Sequence, residues 1–190
     1  MKNNNTFKEY VAPILVLVCI CLVITAALAA TYGVAKPIID TNTLKTANEN
    51  RAKLLPAADS FTEYDGELVV EEKDKVYIED CYVADNGTGM VVTVATKSFG
   101  GRLTMMVGID DKGAITGVVQ TSHADTPGLG TKNFTEEYLG QYKGLTELNN
   151  TNVKQDGQIE YISGASVTGS AMHYGVYCAL DQYKAMGGVQ

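Results

Sequence analysis

Histidine is nearly absent from this chain. It has two, His123 and His173, in 190 residues. With so few imidazoles the sequence offers no convincing nucleophile–base–orienter triad. Cysteine is also sparse. None of the four cysteines is paired at the close spacing of a zinc site or of a C-x-x-C redox centre. Basic residues are outnumbered: 15 Lys and Arg face 22 Asp and Glu, for a formal net charge of −7. That balance excludes nucleic acid as an expected partner. Internal repeats and low-complexity stretches are missing too. The length corresponds to about one domain with additions.

The cysteines fall into two groups. Cys19 and Cys21 lie in an apolar N-terminal block, whereas Cys81 and Cys178 lie in the remainder. The second pair is compatible with a disulfide in an oxidising compartment and equally with two free core thiols. Acidic residues cluster over residues 59–80, including Glu67, Glu71, Glu72, Asp74, Glu79 and Asp80. Such a cluster reads as a solvated face, with a docking surface for a basic partner as the sharper alternative.

What the chain does have is a long hydrophobic run. Residues 10–35 carry no charge and are rich in Val, Ile, Leu and Ala. About 20 apolar residues suffice for a helix to cross a bilayer. Lys2 and Lys8 precede the run, and Lys36 and Asp40 follow it. The bias favours a cytoplasmic N-terminus and an extracytoplasmic C-terminal part. A cleaved signal peptide ending near Ala27-Leu28-Ala29 is the rival reading, but signal-peptide apolar cores are shorter. A lipoprotein signal fits poorly, because Val18 and Ile20 before the cysteines are not small. The expectation is one uncleaved transmembrane helix, with Pro13 tolerated near its start.

Residues 40–55 read as a helix continuing from the anchor and ending at Pro56. Strand-favouring residues then cover 76–83, 90–96, 103–109 and 115–120, the last two as an antiparallel hairpin. Asp85-Asn86-Gly87, Gly100-Gly101 and Asp110-Asp111-Lys112-Gly113 mark the turns between them. A short helix follows, with Asn133 expected as N-cap and Glu136 three residues on. Residues 149–157 read as a loop, 159–162 as a last strand, and 167–186 as a long helix stopped by Gly187 and Gly188. The fold class is α+β: one N-terminal transmembrane helix, then a small antiparallel sheet packed with helices.

Two segments carry candidate chemistry. The first is His123-Ala124-Asp125-Thr126-Pro127-Gly128-Leu129-Gly130. Thr126 to Leu129 suit a type II turn, with Pro setting φ and Gly taking positive φ. Gly128 and Gly130 would also let the backbone approach a flat ring or a phosphate. The second is Ser163-Gly164-Ala165-Ser166-Val167-Thr168, between the expected strand and the long helix. Ser163, Ser166 and Thr168 are plausible helix caps. Equally, small neighbours leave the Ser166 hydroxyl uncrowded at a helix start, where N–H groups and the helix dipole favour an anion.

Taken together, these segments resemble the family of G subunits of the Rnf-type ion-translocating electron transport complex. They also resemble the related C subunits of the sodium-pumping NADH:quinone reductase. The family pattern is His-x-Glu-Thr-Pro-Gly-Leu-Gly and, tens of residues later, Asp-x-x-Ser-Gly-Ala-Thr-x-Thr. The chain matches it in order and separation over 123–130 and 160–168, with three departures. Asp125 replaces Glu, Glu160 replaces Asp, and Ser166 replaces the acceptor Thr.

The resemblance implies FMN joined through its phosphate to Ser166, with Thr168 as the alternative acceptor. It implies flavin contacts from Ser163, Gly164, Ala165, Thr126, Gly128, Leu129, Gly130, Asp125 and His123. The implied layout is a cytoplasmic segment 1–9, a transmembrane helix 10–35, a helical linker 36–58 and an extracytoplasmic FMN-binding domain 59–190. The implied role is electron relay, without turnover alone, in a membrane complex coupling ferredoxin:NAD oxidoreduction to sodium or proton translocation. Implied partners are the other subunits, especially one embedded in the membrane that carries a flavin, together with a flavin transferase for maturation and membrane lipid. A non-redox, membrane-anchored binding module is the alternative from a different class.

Overall fold

The structure is a computed structural model that describes residues 10–189. Lys2, Lys8 and the expected cytoplasmic segment 1–9 lie outside the described residues. Two compact units divide at Ala47 and Asn48.

The first unit is helical. It holds most of helix α1, Ala12–Leu54, which is long and apolar enough to cross a membrane. The helix needs no break at residue 36, because Pro37 is accommodated inside it. The Thr41 hydroxyl donates to the Pro37 carbonyl at 2.8 Å.

The second unit is built on an antiparallel sheet. Its strands are β1 (Phe61–Glu63), β2 (Val70–Glu72), β3 (Val76–Ala84), β4 (Gly89–Lys97), β5 (Arg102–Asp110) and β6 (Ile115–Ser122). The order is β1-β3-β4-β5-β6, with β2 also paired to β3. Strands β3 to β6 form a meander of neighbours, and the expected β5–β6 hairpin is present. Short turns make this the natural topology for antiparallel neighbours. At one of them Gly113 has φ +81°, and Asp110 accepts the N–H groups of Lys112 and Ala114 through its side chain. Strands β1 and β2 are too short and polar to stand out in the sequence.

Helix α4, Ser166–Ala185, covers one face of the sheet. Gly175 is its point of closest approach: an added methyl there would meet Met105 and Thr96 at 2.7 and 2.8 Å. Val92, Val94, Leu103, Met105, Met172 and Val176 fill this core. The opposite face receives the C-terminal end of α1. Gly108 leaves room for Leu54, whose Cβ would lie 2.9 Å from an added methyl. The buried Arg51 places its guanidinium 3.5 Å from the Tyr82 ring centroid.

Three expectations need correction. Residues 159–162 form no strand; they run as an irregular segment into a turn at Ser163-Gly164. Ile159 is buried in the core and Ile162 packs against it, whereas Tyr161 is exposed. The expected loop 149–157 contains a one-turn helix α3, Val153–Asp156, capped by the Asn152 side chain. Asn133 is not the N-cap of the short helix α2, Glu136–Gly140; Thr135 is, accepting the Tyr138 N–H at 3.3 Å.

Buried polar groups tie the shell to α4. Gln182 accepts the Val69 N–H and donates to the Glu67 carbonyl. His173, fully buried in α4, meets the Tyr142 hydroxyl at 3.3 Å and the Asn150 carbonyl at 2.8 Å, with Asp156 3.5 Å away. Cys81 and Cys178 are buried and unbridged. Burial pushes both thiols up to about 12. Glu67, Glu72 and Asp74 are exposed, whereas Glu71, Glu79 and Asp80 are half-buried. Lys75 pairs with Glu72, and Arg102 with Glu79.

Candidate functional site

The first segment folds as its turn chemistry requires. The Leu129 N–H donates to the Thr126 carbonyl at 3.2 Å, and Gly128 has φ +77°. Free space surrounds Gly128, so backbone conformation alone demands glycine there. At Gly130 the reason is different. Its backbone lies against Asp125, and an added methyl would come within 2.8 Å of the Asp125 Cβ. A 3-10 turn, Gly130–Phe134, leads into α2.

The second segment enters α4 through Gly164 at φ +82°. Ala165 is the N-cap residue, and no side chain caps the helix. The capping roles expected for Ser163, Ser166 and Thr168 are therefore not used, because Thr168 is committed elsewhere and Ser166 is itself the first helical residue. The Ala165 carbonyl accepts the Gly169 N–H. The N–H groups of Ser166, Val167 and Thr168 have no backbone or capping partner among the described residues. They form the positive end of a 20-residue helix.

Two buried side chains join the segments. Asp125, 4% exposed, accepts the Thr168 hydroxyl at 2.8 Å and the Gly100 N–H at 3.0 Å on one oxygen. Its other oxygen accepts the Ser98 hydroxyl at 2.6 Å. Asn133 donates to the Gly130 carbonyl at 3.0 Å and to the Ala165 carbonyl at 3.1 Å. Its own carbonyl oxygen is buried without a partner. Gly169 admits this amide: a methyl there would lie 2.9 Å from it.

Between the segments lies a cleft of about 210 Å³. Asp125, Thr126, Leu129 and Gly130 line one side, and Gly164, Ala165, Ser166, Val167 and Thr168 the other. Phe99, from the β4–β5 turn, completes it. The Ser166 hydroxyl makes no hydrogen bond among the described residues, and its side chain is half-buried. Thr168, 1% exposed, has its hydroxyl on Asp125.

Three sequence candidates do not line the cleft. Gly128 shapes the turn. Ser163 is exposed in the turn before α4. His123 is exposed, with its ring centroid 4.9 Å from that of Phe134. Glu160, the second departure from the family pattern, is exposed as well, and its N–H donates to the Gln141 side chain.

Sequence reasoning missed Asn133 as a bridge and missed Phe99 altogether. Asn133 has the look of a cap because it stands before a helix. The only local sign of Phe99 is an aromatic residue beside a Gly-Gly turn.

The chemistry fits an anionic, flat ligand in part. The free N–H groups and a free hydroxyl suit a phosphate. Leu129, Val167 and Phe99 suit an apolar ring. Sites that enclose a whole drug-sized ligand span roughly 300–1,000 Å³. This cleft is smaller and would hold only part of a flavin mononucleotide.

Residues 98–181 match the family model described as an FMN-binding domain. The G subunit of an ion-translocating oxidoreductase complex from Methanosarcina acetivorans is 29% identical over 184 residues, covering 95% of this chain and 98% of that protein. The G subunit of a proton-translocating ferredoxin:NAD(+) oxidoreductase complex from Clostridium ljungdahlii is 26% identical over 174 residues, covering 88% of each. Among solved structures, Shewanella oneidensis NqrC is similar with a TM-score of 0.42 and 23% identity, over 56% of this chain and 61% of that one. The matched region spans the Phe99 turn, both cleft-forming segments and most of α4, and the similarity to G subunits of ion-translocating oxidoreductase complexes extends over nearly the whole chain.

Proposed function

We propose that this chain is the membrane-anchored electron-relay component of such a complex, carrying FMN through a phosphoester on the Ser166 oxygen. One observation carries the proposal. Ser166 is the unengaged hydroxyl at the point where the two segments and the start of α4 converge. Thr168, the other candidate, is buried with its hydroxyl donated to Asp125. Serine offers the same hydroxyl as the family's threonine, with a less restricted side chain.

The chain's own contribution is position and polarity. The first-turn N–H groups of α4 stabilise the single negative charge of a phosphodiester. Thr126, Leu129 and Gly130 present backbone and apolar surface to the ring side of the cleft. Bound FMN supplies the one- and two-electron chemistry. Because the cleft encloses only part of the group, the ring edge stays accessible to neighbouring carriers. Covalent attachment prevents loss of the cofactor. The Clostridium relative's name points to ferredoxin and NAD as the terminal couples of the complex. The coupled ion is sodium or a proton.

In this reading residues 1–9 are cytoplasmic, 10–35 cross the membrane, 36–58 form a helical linker and 59–190 are the extracytoplasmic flavin domain. Partners are the other subunits, above all one embedded in the membrane that carries a flavin, and a flavin transferase. The test is co-expression with a flavin transferase, followed by ultraviolet fluorescence on a denaturing gel and intact mass. Ser166→Ala abolishes the band, and Thr168→Ala keeps it. A wild-type chain with no band and no added FMN mass would sink the proposal, and the reverse variant pattern would move attachment to Thr168. A reporter fused after Gln190 is active only outside the cytoplasm.

A further inference from the structure

Phe99 is 74% exposed, more than any other large hydrophobic side chain described, those of the apolar helix included. Leaving a whole aromatic side chain in water forgoes the free energy of its burial. It has no ring partner among the described residues. Yet the turn that carries it is held firmly. Asp125 takes the Gly100 N–H and the Ser98 hydroxyl, on either side of Phe99. The Ser98 N–H donates to the Gly101 carbonyl at 2.7 Å and closes the turn. Gly100 packs so closely on the first segment that a methyl group there would overlap the Ala124 carbonyl. The same Asp125 holds Thr168, two residues from Ser166. One buried carboxylate thus fixes Phe99 relative to the free hydroxyl, and Phe99 lines the cleft beside Leu129 and Val167.

We infer that Phe99 is a direct contact for the flavin ring, a third wall of the site supplied by the β4–β5 turn and held in place by Asp125. The inference rests on Ser166 holding the flavin. A flavin tethered only through its phosphate would swing on its ribityl chain. A fixed aromatic side chain at the cleft offers the ring an offset or edge contact that restrains it. Preorganisation of the turn means the contact is made without ordering a loop. A protein partner docking on Phe99 is the competing use of the same exposed ring, and the experiment separates them.

The full-length chain is co-expressed with a flavin transferase, purified in detergent, and the flavin's fluorescence anisotropy decay is recorded. Phe99→Ala keeps the flavin band on a denaturing gel but loses the slow, whole-protein component of the decay. Phe99→Tyr retains the slow component. Val70→Ala, on the exposed short strand β2, leaves the decay as in wild type. An unchanged decay in Phe99→Ala, with the band present, overturns the ring contact. Absence of the band from the wild-type chain overturns the attachment reading, and this inference with it, so the two failures are distinguishable.

Discussion

The Thr168 hydroxyl donates to the Asp125 carboxylate at 2.8 Å, joining residues 43 positions apart in the chain. This bond engages the Thr168 hydroxyl, holds the start of α4 against the glycine loop, and leaves Ser166 as the available hydroxyl. The same carboxylate anchors the turn of Phe99 through Ser98 and Gly100.

Removing that carboxylate should therefore loosen all three segments at once. Asp125→Ala leaves the buried Thr168 hydroxyl and the part-buried Gly100 N–H without their acceptor, whereas the Ser98 hydroxyl keeps the Gly101 carbonyl at 3.1 Å. The expected loss is about 2–4 kcal/mol, from about 1–3 kcal/mol for the buried hydroxyl and about 1 kcal/mol for the N–H. Asp125→Asn keeps acceptor capacity on one oxygen and should lose less. Thermal unfolding of the full chain in detergent ranks them. Equal stability of Asp125→Ala and wild type would contradict the role of the carboxylate.

Gly130 and Gly140 make a matched pair. An alanine methyl at Gly130 would press on the Asp125 side chain, whereas at Gly140 nothing lies within 4 Å. Gly130→Ala should cost about 1–3 kcal/mol by overpacking and lower the flavin yield on a denaturing gel. Gly140→Ala, at the end of α2, should leave both unchanged. Indistinguishable variants would rule out the close packing at Gly130.

Acidification should weaken the fold through His173. Burial depresses its pKa, and the nearby Asn150 carbonyl and Asp156 only partly oppose this. A histidine whose folded pKa is lowered binds protons more readily when unfolded. Its stabilising contribution is thus complete above the ordinary value of about 6.5 and is lost as pH falls below it. Unfolding temperature should drop between pH 7 and pH 5 in wild type, and the drop should be smaller in His173→Gln. A variant with the same pH dependence as wild type would locate the sensitivity elsewhere.

Cys81 and Cys178 should be inert while the domain is folded. Burial raises both thiols to about 12, aided by Asp80 at Cys81 and by Glu71 at Cys178. The thiolate is the reactive species. In a Cys19→Ser/Cys21→Ser background, native protein at pH 8 should resist alkylation, and denatured protein should take up two labels. Rapid labelling of the native protein would contradict the burial. No uptake after denaturation would indicate a disulfide.

Much of the architecture was legible because it rests on local rules. Strands β3 to β6 are rich in strand-favouring residues and are punctuated by Asn, Asp and Gly, so they could be placed within a residue or two. The failures came where local and tertiary preferences part. Residues 159–162 have strand-like residues, but they pair with no strand of the sheet. Asn133 precedes a helix, as a cap would, but its amide is drawn to the Gly130 and Ala165 carbonyls. Phe99 has no local feature that distinguishes a site wall from a turn residue left in water.

The sequence by itself determined a membrane-length apolar segment, a four-stranded meander, a type II turn at Gly128 and a small-residue entry into a long helix. Each follows from side-chain periodicity or from allowed φ angles, which act over a few residues. Only the tertiary structure decided that the two segments face one cleft, that Thr168 is committed to Asp125, and that Ser166 is free. Those outcomes depend on which buried donors find acceptors across the fold. A buried hydroxyl cannot remain unpaired without cost, so the packing of distant segments selects the one that stays available.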